Sequence, residues 1–239
     1  MSEYIVTGGR RLDGAVVDVE IREGRVDRIV SAGEGDPSSF PADRRYDADG
    51  RLVTPPLIEP HVHLDATGTA GDPSWNESGT LAEGIDVWAA YKEDITVADI
   101  VERATRTVEW YAANGVTRIR THADTTEPSL TTVEALLELR DRVADLVDLQ
   151  VVAFPQDGVF TAEGNEDLLR EAVEMGVDVI GAIPHNEHTR EDGVESVRTV
   201  CDLAESHDLP LDLHIDETDD PGSRFTEVLA SEALKRDIG

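Results

Sequence analysis

The sequence predicts an α/β fold, a (β/α)8-type barrel left incomplete at about five β/α units and preceded by a small β-domain. Three observations carry that prediction. From Arg51 onward, short strands that are apolar on both faces, as buried parallel strands are, alternate with helical patterns. Such alternation implies βαβ units. Polar residues capable of chemistry then sit where each strand ends, which is where a barrel assembles its site. A doubly wound sheet would confine them to one switch point.

The first fifty residues read as strands alone. YIVTGG, GAVVDVEI and RVDRIVSAG are rich in β-formers, and Val17, Val19 and Ile21 alternate with polar neighbours. REGR, Arg22 to Arg25, supplies the glycine of a tight hairpin turn. GEGDPSSFPAD, Gly33 to Asp43, is a loop by composition. The expected boundaries are 1–53 for this small β-domain and 54–239 for the partial, catalytic barrel.

In the barrel part, RLVTPPLI leads into PHVHLD, a long Gly/Ser/Asn loop, and the helical patterns LAEGIDVWAAYKED and VADIVERATRTVEWYAANG. The strand VTRIRTHAD precedes the helix TTVEALLELRDRVA, and LQVVAFPQ precedes NEDLLREAVEMG. VDVIGAIPH precedes GVESVRTVCDLAESH, and LPLDLHID precedes SRFTEVLASEALKRD. Glycine stop signals close two of these helices. Because a closed barrel needs about eight units, strands one and five are expected to keep open edges.

Composition bounds the rest. The 239 residues carry 51 acidic and 21 basic side chains, a net charge of −30, and the only lysines are Lys92 and Lys235. The carboxylates are spread through segments of regular apolar periodicity, which argues against a disordered acidic tail. Self-repulsion of this size is tolerable where salt screens charges, over about 3 Å at molar concentration, so a halophilic protein is expected. Nucleic acid is a poor partner, since phosphate binding needs cationic residues. No run reaches the roughly 18 apolar residues of a membrane span. MSEYIVTGG lacks the regions of a signal peptide, so a soluble, cytoplasmic protein is expected. The single cysteine, Cys201, rules out an internal disulfide or a Cys-x-x-Cys knuckle and reads as a small buried thiol.

PHVHLD holds the first chemical signal. Residues i and i+2 of a strand point to one side, so His61 and His63 can face one ion at about 2.0–2.1 Å each. A lone His-x-His is as readily a chance surface pair; the barrel order of polar strand ends favours the metal. LHIDE, Leu213 to Glu217, offers His214 as a third ligand. Glu217, although one acid among 51, can take a proton from an activated water and pass it to a leaving group. Gln156 ends VVAFPQDG and presents a donor and an acceptor in one plane, suited to an amide-like ring edge. By residue type alone it is an ordinary loop residue. His122 and Asp124 can buttress the ligands through hydrogen bonds or simply pack, and His185 can line the pocket mouth. His188 and His207 read as ordinary loop or helix-end residues.

TPPLIEPHVHLDATGTAGDPSWNESGTLAEGI, RTHAD, DLQVVAFPQDG, GAIPHNEHTREDGVES and LHIDETDDPGSRF together resemble the amidohydrolase superfamily, and within it the cytosine deaminase family. The hairpin DVEIREGRVDRIV is similar to that family's flanking β-domain, so the resemblance runs over essentially the whole chain. It implies one divalent ion, Fe2+ or Zn2+, held by His61, His63 and His214, with Glu217 as proton shuttle and Gln156 on the pyrimidine edge. No lysine stands at the third or fourth strand end, so a carboxylated-lysine bridge between two metals is not expected. The implied reaction is hydrolytic deamination of cytosine to uracil and ammonia, in pyrimidine salvage, by a homo-oligomer at full length. Zinc deaminases built on H-x-E and P-C-x-x-C are excluded by the single cysteine.

The family's further histidine on strand six and aspartate on strand eight lie beyond these units, so a fragment of a longer enzyme is expected. Two other readings stay open. One is a related amidohydrolase acting on another nitrogen heterocycle, such as a triazine or a creatinine-like lactam. The other is a catalytically incomplete metal-binding fragment.

Overall fold

β1 (Tyr4–Arg10), β2 (Val16–Arg22), β3 (Arg25–Ser31) and β4 (Arg45–Asp47) form one sheet in the order β3-β2-β1-β4. β2 is antiparallel to both β1 and β3, and β4 runs parallel to β1. At the REGR turn Glu23 and Gly24 take φ of 52° and 76°, the left-handed pair that matches the twist of the flanking strands. Val17, Val19 and Ile21 pack together with Tyr4, Val6 and Val53. Their polar neighbours are buried too, which simple alternation does not predict. The Asp18 carboxylate, 2 % exposed, accepts the N–H groups of Gly8, Gly33 and Gly35 at 2.9, 2.8 and 3.2 Å. Glu20 pairs with Arg28 at 3.6 Å. The loop after β3 is thereby tied to the sheet's other face, and a buried carboxylate satisfied this fully is stable there.

The computed structural model describes residues 3–236 and Ile238. The chain divides into two compact units, Met1–Pro56 and Leu57–Gly239.

In the second unit β5 (Leu57–Val62), β6 (Val116–Asp124), β7 (Asp148–Phe154) and β8 (Val179–Ile180) form a parallel sheet in chain order. A fifth strand segment, 210–214, continues the ladder. Ile180 donates its N–H to the Pro210 carbonyl at 3.0 Å, Asp212 to Ile180 at 3.0 Å, and His214 to Ala182 at 2.9 Å. Gly181 permits the close approach, since a Cβ there would stand 3.0 Å from the Asp212 carbonyl and 3.1 Å from that of Ala153. α1 (Leu81–Tyr91) and α2 (Val97–Ala113) follow β5, α3 (Thr131–Arg142) follows β6, and α4 (Asn165–Glu174) follows β7. α5 (Arg190–His207) follows β8, and α6 (Phe225–Arg236) follows the fifth strand segment. This is an incomplete, barrel-like arrangement of five strand–helix steps, as the sequence pattern predicts.

The helices begin and end where their chemistry requires. Thr96 caps α2 by accepting the Asp99 N–H at 3.2 Å, and Thr189 caps α5 through Asp192 at 3.1 Å. Gly115 and Gly176, at φ of 85° and 96°, follow the ends of α2 and α4. α2 buries Ile100, Val101, Ala104 and Val108, a stripe of helical period. That stripe joins Ile119, Leu136, Leu139, Val151, Leu169, Ile180 and Val200 in the main core between helices and sheet. Cys201 is buried and free. Among the described residues no helix is long and apolar enough to cross a membrane.

Candidate metal centre

The period of two puts His61 and His63 on one side of the end of β5, and sheet curvature brings the other imidazoles to them. β6 supplies His122 and the fifth strand segment supplies His214. The four rings surround a common point, with every centroid pair between 4.4 and 5.3 Å apart. Phe154, the last residue of β7, lies against them, 4.2 Å from the His214 ring and 5.5 Å from that of His122.

The donor atoms converge more tightly than the rings. Nε2 of His63 lies 3.3 Å from Nε2 of His214, and one ligand atom each of His61, His63 and His122 lies within 4.8 Å of the others. Two nitrogens bound tetrahedrally at about 2.0–2.1 Å stand about 3.3–3.4 Å apart, so the His63–His214 spacing suits a shared ion. Protonation favours it as well. Burial, reinforced by the neighbouring imidazoles, pushes His63 and His214 down to about 3. Burial also holds His61 below its ordinary value. Neutral imidazoles offer lone pairs near pH 7, as metal ligands must.

His122 is fully buried, and among the described residues neither of its ring nitrogens, nor Nδ1 of His214, has a hydrogen-bond partner. Buried nitrogens are seldom left unpaired, and a divalent ion at the centre of the cluster fits this donor set. The nearest carboxylate to His122 is Asp212, 3.7 Å from Nε2, itself paired with Arg120 at 2.7 Å. Burial opposes ionisation of Asp212, but His122 and Arg120 outweigh it and hold the carboxyl well below the usual range.

A cavity of about 300 Å³ opens onto the cluster, and its lining includes His61, His63, His214, Gln156 and Glu217. The residues expected as ligands, proton shuttle and ring reader all line this one space. His122 stands closer to His61 and His63 than a buttress alone requires. His185 lines a neighbouring polar cleft with Thr218 and Ser223 instead of this cavity. His207 bonds Glu174 at 3.1 Å.

Sequence reasoning assigned no role to Asp65, Trp88, Lys92 or Asp212. Asp65 lines the cavity, accepts the N–H groups of Ala66 and Asp124 at 2.8 and 3.1 Å, and is pushed up to about 7 by burial and then by Asp124. The loop it opens is fastened by Arg103 of α2, which donates to the Asp65 and Thr67 carbonyls and is braced by Asp99 at 2.8 Å. Asp124 is a hub, accepting Trp88 Nε1 at 3.1 Å, Lys92 Nζ at 2.8 Å and the Thr126 N–H at 2.8 Å. The one signal for Lys92 in the sequence is its rarity.

Known proteins resemble this chain over nearly all of its length. The model of the Amidohydrolase family matches residues 44–238. A 5-methylcytosine deaminase from Klebsiella pneumoniae, solved with 5-fluorocytosine, superposes at a TM-score of 0.92 with 44 % identity, covering 98 % of this chain and 56 % of that one. N-isopropylammelide isopropylaminohydrolase from Burkholderia multivorans superposes at 0.80 with 26 % identity, covering 98 % of this chain and 58 % of that one. In sequence, N-isopropylammelide isopropyl amidohydrolase of Pseudomonas sp. (strain ADP) is 30 % identical over 92 % of this chain and 55 % of its own length. The chain spans about half the length of the curated relatives it matches.

Proposed function

Because the chain belongs to the amidohydrolase family, we propose that the whole protein is a metal-dependent hydrolase that deaminates cytosine, or a close pyrimidine, to the oxo ring and ammonia. The observation that carries this reading is the opening of one cavity onto His61, His63, His214, Gln156 and Glu217. The three histidines would hold one divalent ion, Fe2+ or Zn2+, for which imidazole is a suitable ligand, and His122 packs against them. When bound there, such an ion would supply Lewis acidity to the water beside Glu217.

Gln156 aligns the ring edge, its amide able to donate and accept at once. Glu217 takes a proton from the attacking water and delivers it to the departing amino nitrogen while C4–O forms and C4–N breaks. Residues 54–239 are the catalytic part and 1–53 flank it. The likeness to a deaminase solved with 5-fluorocytosine supports the substrate class. The relatives named for N-isopropylammelide favour a second reading, another nitrogen heterocycle in the same pocket.

The acidic surface fits a salt-rich cytoplasm, and the reaction a place in pyrimidine salvage. The full-length protein is a homo-oligomer without nucleic-acid or membrane partners. The test is ammonia release by the full-length protein from a panel of cytosine, 5-methylcytosine and N-alkylated triazines. Glu217→Gln should lower kcat by about 10²–10⁴ with metal content unchanged. Undiminished turnover in that variant would remove Glu217 from the mechanism.

A further inference from the structure

We propose that Lys92 is a positioning residue for the ring pocket, locking the wall helix α1 onto the strand ends that carry Asp124 and the Gln156 loop. The inference rests on the ring-binding reading above and adds the element that sets the width of the pocket.

α1 presents Leu81, Gly84, Ile85 and Trp88 to the cavity, positions spaced i, i+3, i+4 and i+7 on one face of a helix. Of all its residues only Trp88 is buried. Apolar packing therefore holds this wall weakly, and segments with few buried contacts open most readily. The hold is polar and comes at the C-terminal end of the helix. Lys92 directly follows α1, and 11 % of its side chain is exposed. Its ammonium donates to Asp124 at 2.8 Å, to Asp157 at 3.0 Å and to Thr126 Oγ1 at 3.0 Å. Three donors thus meet three acceptors.

Each acceptor leads to the pocket. The Asp124 oxygen that Lys92 bonds is also the one that receives the Trp88 indole N–H at 3.1 Å. Asp157 is the chain neighbour of Gln156, and Thr126 Oγ1 bonds Asp157 at 2.9 Å. One cation therefore ties the indole wall, the end of β6 and the loop after β7. The chain uses arginine at all but two of its 21 basic positions. A lysine here matches the geometry, because a compact ammonium can serve acceptors gathered around a single point while a planar guanidinium serves a fork. Without the cation, Asp124, 2 % exposed, loses its charged partner, and a buried carboxylate stripped of its partner forces rearrangement.

Trp88 reports the lock directly. It is 9 % exposed, while Trp75 and Trp110 are 68 % and 70 % exposed, so the acrylamide-shielded part of the tryptophan emission belongs to Trp88. In Lys92→Met that shielded part should become accessible to acrylamide. Cytosine binding to the metal-loaded full-length protein, measured by calorimetry, should weaken by about tenfold, the effect of losing one charge-assisted hydrogen bond. Lys92→Arg, which keeps the charge, should fall between. A merely structural lysine would lower the melting temperature and leave both readouts of the folded protein unchanged, and that result overturns the proposal. Unchanged affinity beside an exposed Trp88 overturns it equally. If Lys92→Met does not fold, Asp157→Asn carries the same test at a more exposed partner. A wild-type full-length protein that binds no cytosine refutes the proposed substrate class, while the quenching still decides the lock.

Discussion

Nε2 of His63 and Nε2 of His214 lie 3.3 Å apart across 151 residues of chain. They come from the first and fifth strands of a parallel sheet, with three strands between them along the ladder. Only a sheet that curls on itself brings its outer strands that close, so this one contact reports the barrel-like curvature and gathers donor atoms from distant strands in one place.

A metal ion bound there should stabilise the fold by mass action. Zn2+ at about 100 times its Kd adds about 2.7 kcal/mol, seen as a rise in Tm that a chelator reverses. His63→Ala and His214→Ala should each lose most of that rise. A full rise in both variants would place the ion elsewhere.

Asp18 is predicted to anchor the first unit. Asp18→Ala leaves three N–H groups without the acceptor they share, at a cost of about 2–4 kcal/mol in chemical denaturation. A loss below about 0.5 kcal/mol would show that the loop after β3 bonds water equally well.

His207, at the end of α5, bonds Glu174 at 3.1 Å and approaches the Leu203 carbonyl at 3.0 Å. The Glu174 bond and then the Leu203 carbonyl raise its pKa above the ordinary 6.5. A raised histidine stabilises the protein fully below pH 6.5 and loses that contribution as pH rises through the folded value. NMR titration should therefore find a midpoint above 6.5 that Glu174→Gln lowers. A midpoint unmoved by that substitution would exclude the pair as the cause.

With a net charge of −30, stability should climb with salt. Raising KCl from about 0.1 M to about 1 M shortens the screening length from about 10 Å to about 3 Å. Tm should rise across that range, and a flat or falling Tm would remove self-repulsion as the reason.

Much of this protein was legible in its sequence because the signals are local. Strand and helix periods, the glycine stops and the same-side geometry of His61 and His63 depend on residues within a few positions of one another. The positions of Gln156, His214 and Glu217 at strand ends follow from the same periodicity together with the family resemblance. Asp18 was not legible, since its burial depends on a loop fifteen residues away folding back to donate two N–H groups. Nor was the closeness of His122 to His61 and His63, which depends on the register between β5 and β6. Lys92 could be singled out as rare, but its three acceptors lie 32, 34 and 65 residues away. What the sequence determined by itself is which residues stand at strand ends and on which side. The tertiary structure decided which of those ends meet, because curvature and register accumulate over several strands and no local pattern records their sum.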